Sequence, residues 1–143
     1  MMPDFMLEAI NIAKMSGKDI PIGAVIVQNG QIISSAANQK EKKQVATAHA
    51  EIIAIEEACK KLNSWRLNDC RIYVTLEPCP MCASAILQAR IPEIYFGAYD
   101  YIAGAFGSKC DMRTIMGLEA NVIGGIMEED CAKLLKDYFK DLR

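Results

Sequence analysis

Three side chains that bind zinc in proteins, and one acidic side chain beside them, give this sequence its clearest chemistry. His49 and Glu51 lie two positions apart, and Cys79 and Cys82 follow further along the chain. Zinc is bound by imidazole and thiolate, and a site with three protein ligands leaves a fourth position for water. Because a hydrolytic zinc lowers the pKa of that water to about 7, the pattern indicates a hydrolytic site, with Glu51 close enough to handle the proton.

The first ligand is predicted to lie at the beginning of a helix. Thr47 is expected to cap a helix that continues to Leu62, which places His49 in its first turn and Glu51 just after it. Side chains at a helix start lean toward the N-terminus, so an ion held off that end is within reach of the imidazole. Glu51 would then approach the water on the metal.

The two cysteines are predicted to open a second helix. Pro78 and Pro80 follow an apolar strand and suit the first positions of a helix over 81–90, with Cys79 and Cys82 in its opening turn. The positive end of a helix and a metal ion both favour thiolates. If both helices begin at one edge of a sheet, the sequence predicts that the three ligands meet there.

Two other interpretations of these cysteines remain open from the residues alone. A Cys-x-x-Cys pair in an intracellular protein is also typical of a redox site, although no thioredoxin-like pattern surrounds this one. A closed structural zinc site is the second alternative, and it requires Cys70 or Cys110 as the fourth ligand. In that case Glu51 is an ordinary helix residue.

Length and composition favour one domain over 1–143. The chain has 143 residues, of which 52% are hydrophobic, enough for a core without disulfides. Six cysteines without a basic segment and apolar leader at the start indicate a reducing compartment, and we expect the cytoplasm. No apolar stretch approaches the roughly 20 residues of a membrane span. The net charge of −2 is not typical of a nucleic-acid-binding domain.

The periodicity of apolar residues predicts an α/β fold. Asn29-Gly30 is a strong hairpin signal between the first two strands, and helices and strands alternate after it. This order predicts a mixed central sheet of about five strands with helices on both faces, in three layers. Strands are expected over 23–28, 31–36, 71–76, 93–98 and 121–126, and further helices over 3–15 and 128–142.

Five segments make the chain resemble the bacterial tRNA-specific adenosine deaminases, within the cytidine deaminase-like superfamily. His-x-Glu followed by Pro-Cys-x-x-Cys is an established signature of zinc-dependent nucleobase deaminases, and the chain matches it. Together the segments are more specific than that signature, which cytosine, guanine and deoxycytidylate deaminases share. They are Pro21-Ile22-Gly23-Ala24-Val25, Thr47-Ala48-His49-Ala50-Glu51, Ser64-Trp65-Arg66-Leu67, 73–82 and Gly104-Ala105-Phe106-Gly107-Ser108.

The resemblance implies a fold, a reaction and an assembly. It implies the cytidine deaminase-like fold, one Zn²⁺ per subunit, and conversion of adenosine to inosine at the wobble position of a tRNA anticodon, with tRNA-Arg bearing an ACG anticodon as the expected substrate. It also implies a homodimer with active sites near the subunit interface. Carried over by position, His49, Cys79 and Cys82 bind the zinc and Glu51 shuttles protons.

Four further residues match positions of the family that contact the substrate. The resemblance implies that Asn38 hydrogen-bonds the bound base and that Asp100 lies in a loop facing the RNA. Tyr138 and Phe139 match aromatic positions near the nucleotide pocket, although their helical spacing is also typical of core residues.

The chain departs from the family pattern where RNA is expected to bind. Tyr101-Ile102-Ala103 replaces a stretch that often carries Pro-Lys, and 118–121 lacks the histidine and basic residue that are common there. Fewer phosphate contacts follow, since basic side chains supply much of the affinity for nucleic acid. A deaminase of a free base, nucleoside or nucleotide is therefore the alternative enzyme, and a non-catalytic deaminase-like subunit is the alternative outside catalysis.

Overall fold

A five-stranded mixed sheet forms the centre of the protein in the computed structural model, which describes residues 4–142. The strands lie in the order β2-β1-β3-β4-β5; β1 is antiparallel to both of its neighbours, and β3, β4 and β5 run parallel. The predicted mixed α/β sheet of about five strands is confirmed. The strands are β1 (Gly23–Gln28), β2 (Gln31–Ala37), β3 (Cys70–Leu76), β4 (Glu93–Ala98) and β5 (Asn121–Ile123).

Helices connect the strands and cover both faces of the sheet. They are α1 (Phe5–Ala13), α2 (Lys40–Lys43), α3 (Ala50–Leu62), α4 (Pro80–Gln88), α5 (Met112–Met116) and α6 (Glu128–Asp141). The parallel pair β3 and β4 requires a crossover, and α4 supplies it. None of the described helices combines the length and apolar character of a membrane-spanning segment.

Side-chain alternation along β1 divides the core into two layers. Ala24 and Ile26 face the larger cluster, which contains the buried faces of α3 and α4. Val25 and Val27 face the opposite side, where α1 and α6 pack. The layer of α3 and α4 is the one that carries all the predicted zinc ligands.

One glycine determines how closely α6 approaches the sheet. A Cβ atom on Gly97 of β4 would lie 2.2 Å from Sγ of Cys131, the buried residue in the first turn of α6. Only a residue without a side chain permits this approach. The position of α6 therefore depends on the small volume at residue 97.

The predicted cap of the first zinc helix is wrong. α3 begins at Ala50 with His49, not Thr47, as its N-cap residue. The free backbone N–H of Ala50 is bound instead by a side chain from another segment, the Oδ1 atom of Asn38, at 2.9 Å. Because that acceptor follows β2, propensity within residues 47–51 does not reveal where the helix begins.

Other boundaries differ at glycines and at short helices. The strand predicted over 121–126 ends at Ile123, since Gly124 lies against the Phe96 ring and Gly125 has φ of +83°. α1 begins at Phe5 after the capping carboxylate of Asp4, and residue 3, the first of the helix predicted over 3–15, lies outside the described residues. The short helices α2 and α5 were not predicted. α4 ends at Gln88, two residues before the predicted end, and Arg90 then has a positive φ of 65°.

Candidate active site

The three predicted zinc ligands meet between the beginnings of α3 and α4. The Nδ1 atom of His49 lies 3.8 Å from Sγ of Cys79 and 3.5 Å from Sγ of Cys82. All three ligand atoms lie within 4.8 Å of one another, and neither Cys70 nor Cys110 belongs to this group. The structure thus offers three protein ligands and no fourth from those two cysteines.

Two of the ligands occupy N-cap positions of helices. His49 and Cys79 both have extended backbone conformations, and neither side chain caps its own helix. Their side chains are free to face each other because the helix ends are satisfied in other ways: Asn38 binds the N–H of Ala50, and Pro80 at the start of α4 has no N–H. Cys82 follows in the first turn of α4.

The geometry fits a zinc ion closely. With Zn–S near 2.3 Å and Zn–N near 2.0–2.1 Å, a tetrahedral site separates sulfur from nitrogen by about 3.6 Å. The two sulfur–nitrogen distances lie on either side of this value. One imidazole and two sulfur atoms are also a ligand set that zinc prefers. These residues are therefore suited to hold zinc with little rearrangement.

Electrostatics within the group favour a thiolate at Cys79. A hydrogen bond from the Cys82 thiol lowers the pKa of Cys79 to about 4, and burial opposes this shift. Donating that hydrogen bond, together with burial, raises the pKa of Cys82. A bound cation favours the thiolate at both positions, because its charge is the largest in the site.

Glu51 is buried beside the ligands, with 4% of its surface exposed. Burial raises the pKa of Glu51 to about 7, and the nearby Cys79 charge acts in the same direction. A cation held by the three ligands acts in the opposite direction. A carboxyl group in this position is able to accept and release a proton near neutral pH.

The amide of Asn38 is oriented by the helix beside it. Its Oδ1 atom accepts the hydrogen bond from Ala50, and the residue is buried next to His49 and Glu51 in the fold. With the oxygen engaged, the amide NH₂ group is the part that can bind a ligand. Asn38 is therefore a donor at this site, which is compatible with its predicted contact to a base.

Asp100 lies in the turn that follows β4 and is half-buried. Its Oδ1 atom accepts hydrogen bonds from the backbone N–H groups of Ile102 (3.0 Å) and Ala103 (3.1 Å). The carboxylate thus shapes the loop from within. Its predicted contact with RNA stays a prediction.

Tyr138 and Phe139 pack against each other near the end of α6. The Tyr138 hydroxyl donates a hydrogen bond to the backbone carbonyl of Lys18 at 2.8 Å, and Phe139 is about half exposed. The neighbouring Asp19 carboxylate binds the backbone N–H groups of Glu41 and Lys42 in α2. Tyr138 therefore connects α6 to the helix that follows Asn38, while a direct contact of either ring with a nucleotide stays a prediction.

Buried Glu77 and half-buried Ser108 are polar partners that the sequence did not reveal. Both lie within the segments that carry the family resemblance, but the residue pattern alone gives them no role. The Glu77 carboxylate accepts hydrogen bonds from the backbone and side chain of Ser108, which lies in the loop after β4. A carboxylate directly after an apolar strand is the available signal.

Comparison with known proteins identifies the class. The family model for the cytidine and deoxycytidylate deaminase zinc-binding region matches residues 2–98, a stretch that includes all three ligands and Glu51. The chain belongs to this family of zinc-binding deaminases, and the predicted zinc cofactor is confirmed at the level of the family.

More specific relatives narrow the class. The tRNA-specific adenosine deaminase of Bacillus subtilis (strain 168) is 43% identical over 97% of this chain and 89% of its own length. A solved structure from work on A-to-I editing by tRNA:A34 deaminases at the wobble position matches with a TM-score of 0.84 and 39% identity, over 92% of this chain and 98% of the other. Within the zinc-binding deaminases, the chain belongs to the tRNA-specific adenosine deaminases.

A guanine deaminase from Bacillus subtilis shares part of the fold. Its structure matches with a TM-score of 0.65 and 41% identity, covering 66% of this chain and 62% of that chain. The match extends over a smaller share of both chains than the match to the tRNA:A34 deaminase structure does.

Removal of one sulfur ligand tests the metal site. Cys79→Ala and Cys82→Ala should each lose most of the zinc, because two remaining ligands hold the ion poorly. Metal analysis of the purified proteins gives the zinc content per chain. Cys110→Ala is the matched control and should retain one zinc; full zinc in both ligand variants, or loss of zinc from the control, would contradict the assignment.

Proposed function

We propose that this protein is a zinc-dependent tRNA adenosine deaminase that converts adenosine to inosine at the wobble position, A34. The observation that carries the proposal is the group of His49, Cys79 and Cys82 beside the buried carboxyl group of Glu51, in a chain that resembles tRNA-specific adenosine deaminases over nearly its whole length. The reaction consumes one water and releases ammonia.

The metal and Glu51 have separate tasks in the reaction. His49, Cys79 and Cys82 would hold the zinc, which supplies a Lewis acid that makes water a nucleophile at neutral pH. Glu51 accepts a proton from the attacking water and passes it to the purine ring. It then accepts the remaining proton of that oxygen and passes it to the amino group, which leaves as ammonia. Its burial keeps bulk water from competing for these protons.

Asn38 provides a donor for the purine. Because its Oδ1 atom is bound to Ala50, the NH₂ group is the part left to donate to an acceptor nitrogen of the adenine. The same hydrogen bond keeps the amide in one orientation. Asn38 thus positions the base relative to the group of ligands at the beginning of α3.

RNA with an unstacked base is the substrate that this chemistry favours. A base inside a duplex must be unpaired and unstacked before its ring carbon is accessible, which costs a few kcal/mol, whereas an anticodon loop already presents unpaired bases. We propose tRNA-Arg with an ACG anticodon as a substrate.

Incubation with defined substrates tests the function. The zinc-loaded protein should form inosine at the wobble position of tRNA-Arg (ACG), as read by sequencing after reverse transcription. Free adenine, guanine, cytosine and cytidine should release no ammonia in parallel reactions. Turnover of a free base or nucleoside without inosine in the tRNA would instead support a small-molecule deaminase.

Glu51→Gln should retain zinc and fold but lose turnover. General acid–base groups contribute about 10²–10⁴ in rate, so a decrease of at least about a hundredfold in kcat is expected. Glu56→Gln, an exposed change on the same helix, is the matched control and should match the unmodified protein. Near-normal turnover of Glu51→Gln would remove this residue from the proton transfers.

Asn38→Asp separates the two contacts of this side chain. The carboxylate still accepts the hydrogen bond from Ala50 but presents an oxygen where the base requires a donor. We expect KM for the tRNA to rise about tenfold or more, with α3 and the zinc retained. Asn68→Asp, in an exposed turn, is the control; an unchanged KM in Asn38→Asp would exclude the proposed base contact.

We also propose that the enzyme is a cytoplasmic homodimer. The support is the family resemblance, together with large exposed apolar side chains such as Ile115 and Ile123. Sedimentation equilibrium should give about twice the chain mass of 15.8 kDa. A monomer mass would contradict the homodimer. Recovery of the protein with cell membranes on fractionation would contradict the cytoplasmic location.

A further inference from the structure

A buried carboxylate lies two residues before the first sulfur ligand. Glu77 has 2% of its surface exposed, and its backbone N–H binds the carbonyl oxygen of Ala98 at the end of β4. Among the described residues it has no ion-pair partner. Burying a charge without a cation is costly, so hydrogen bonds must compensate.

Those hydrogen bonds all come from one loop. The Oε1 atom of Glu77 accepts from the backbone N–H of Asp100 at 3.1 Å and from the Ser108 hydroxyl. The Oε2 atom accepts from the backbone N–H groups of Phe106 and Ser108, both at 3.1 Å. Four donors therefore converge on the two carboxylate oxygens. A carboxylate accepts all four hydrogen bonds because it has no N–H or O–H group of its own.

The loop also contacts the segment that carries the zinc ligand. The backbone N–H of Ala105 donates to the carbonyl oxygen of Pro78 at 2.8 Å, directly before Cys79. A Cβ atom on Gly104 would lie 2.4 Å from Cδ of Glu77, so the loop backbone lies directly against the carboxylate. The residues on either side of Gly104 are thus fixed relative to the metal site.

The outer part of this loop carries two strongly exposed apolar side chains. Tyr101 is 74% exposed and stacks on Tyr99, and Ile102 is 87% exposed. Both residues follow Asp100, whose N–H is held by Glu77 and whose carboxylate holds the N–H of Ile102. An exposed aromatic and an exposed aliphatic side chain on a well-anchored loop are suited to contact unpaired bases.

We propose that Glu77 is a positioning residue for the RNA substrate. This proposal rests on the proposed function. The Glu77 carboxylate holds the loop 100–108 against the segment that contains Cys79. In this position Tyr101 and Ile102 contact the anticodon loop while the target base reaches the zinc. Glu77 contributes to substrate binding through the loop and leaves the chemical step unchanged.

Glu77→Gln tests this role with little change in side-chain size. The amide keeps one acceptor oxygen but directs N–H groups at backbone N–H donors, so half of the anchoring is lost. For an anticodon stem-loop RNA we expect KM to rise about tenfold, with kcat within about threefold of normal. Zinc content and the visible spectrum of the cobalt-substituted protein should match the unmodified protein.

Two further variants keep the test decisive. Glu93→Gln makes the same chemical change at the opposite end of β4, where the carboxylate pairs with Arg71 near the surface, and should leave KM unchanged. Ser108→Ala removes one donor and keeps the backbone contacts of the loop, so KM should rise by a smaller factor than in Glu77→Gln. If Glu77→Gln does not fold, Ser108→Ala alone decides.

Several results would overturn the inference. An unchanged KM in folded Glu77→Gln, or in Ser108→Ala where that variant decides, shows that the anchored loop does not contribute to binding. A lower zinc content or an altered cobalt spectrum shows that Glu77 supports the metal ligand instead. Failure of the proposed function itself is distinct, since the unmodified protein would then form no inosine in any arm.

Discussion

The meeting of two helix N-termini is the constraint on which the candidate site depends. A helix start normally requires side chains to satisfy its free N–H groups, and His49 and Cys79 occupy the positions where such side chains stand. Here both are directed to each other. Asn38 and Pro80 make this possible, because one supplies an acceptor from a different segment and the other removes a donor.

This arrangement concentrates positive potential where anionic ligands and a carboxylate gather. The N-terminal ends of α3 and α4 both favour negative charge, and the thiolate of Cys79 is stabilised in part by the Cys82 thiol. Glu51 sits in the same space but is buried, which favours its neutral form. The balance between burial and cation charge therefore determines the protonation of the carboxyl group that the reaction requires.

The sequence predicts the features that depend on neighbouring residues. It does not predict those that depend on contacts between segments far apart in the chain. The ligand set and the alternation of helices and strands are local, so the zinc cluster and the mixed sheet followed from spacing and periodicity. The predicted start of α3 was wrong because the acceptor for the N–H of Ala50, the side chain of Asn38, lies twelve positions earlier in the chain. The partners of Glu77 lie 23 to 31 positions away in a loop without periodicity. The short α2 is held by the Asp19 carboxylate, which lies 22 and 23 positions before its two partners, Glu41 and Lys42, and a local sequence pattern does not reveal such a contact.

The close contact between α6 and β4 lies near one end of the helix, so a small tilt there displaces the other end. Cys131 rests on Gly97 near one end, and Phe139 lies eight residues further along, about 12 Å at 1.5 Å per residue. A tilt of the helix by about 5° at Cys131 moves Phe139 by about 1 Å. The volumes at these two buried positions thus influence where the aromatic end of α6 lies, while the zinc ligands are on the opposite face of the sheet.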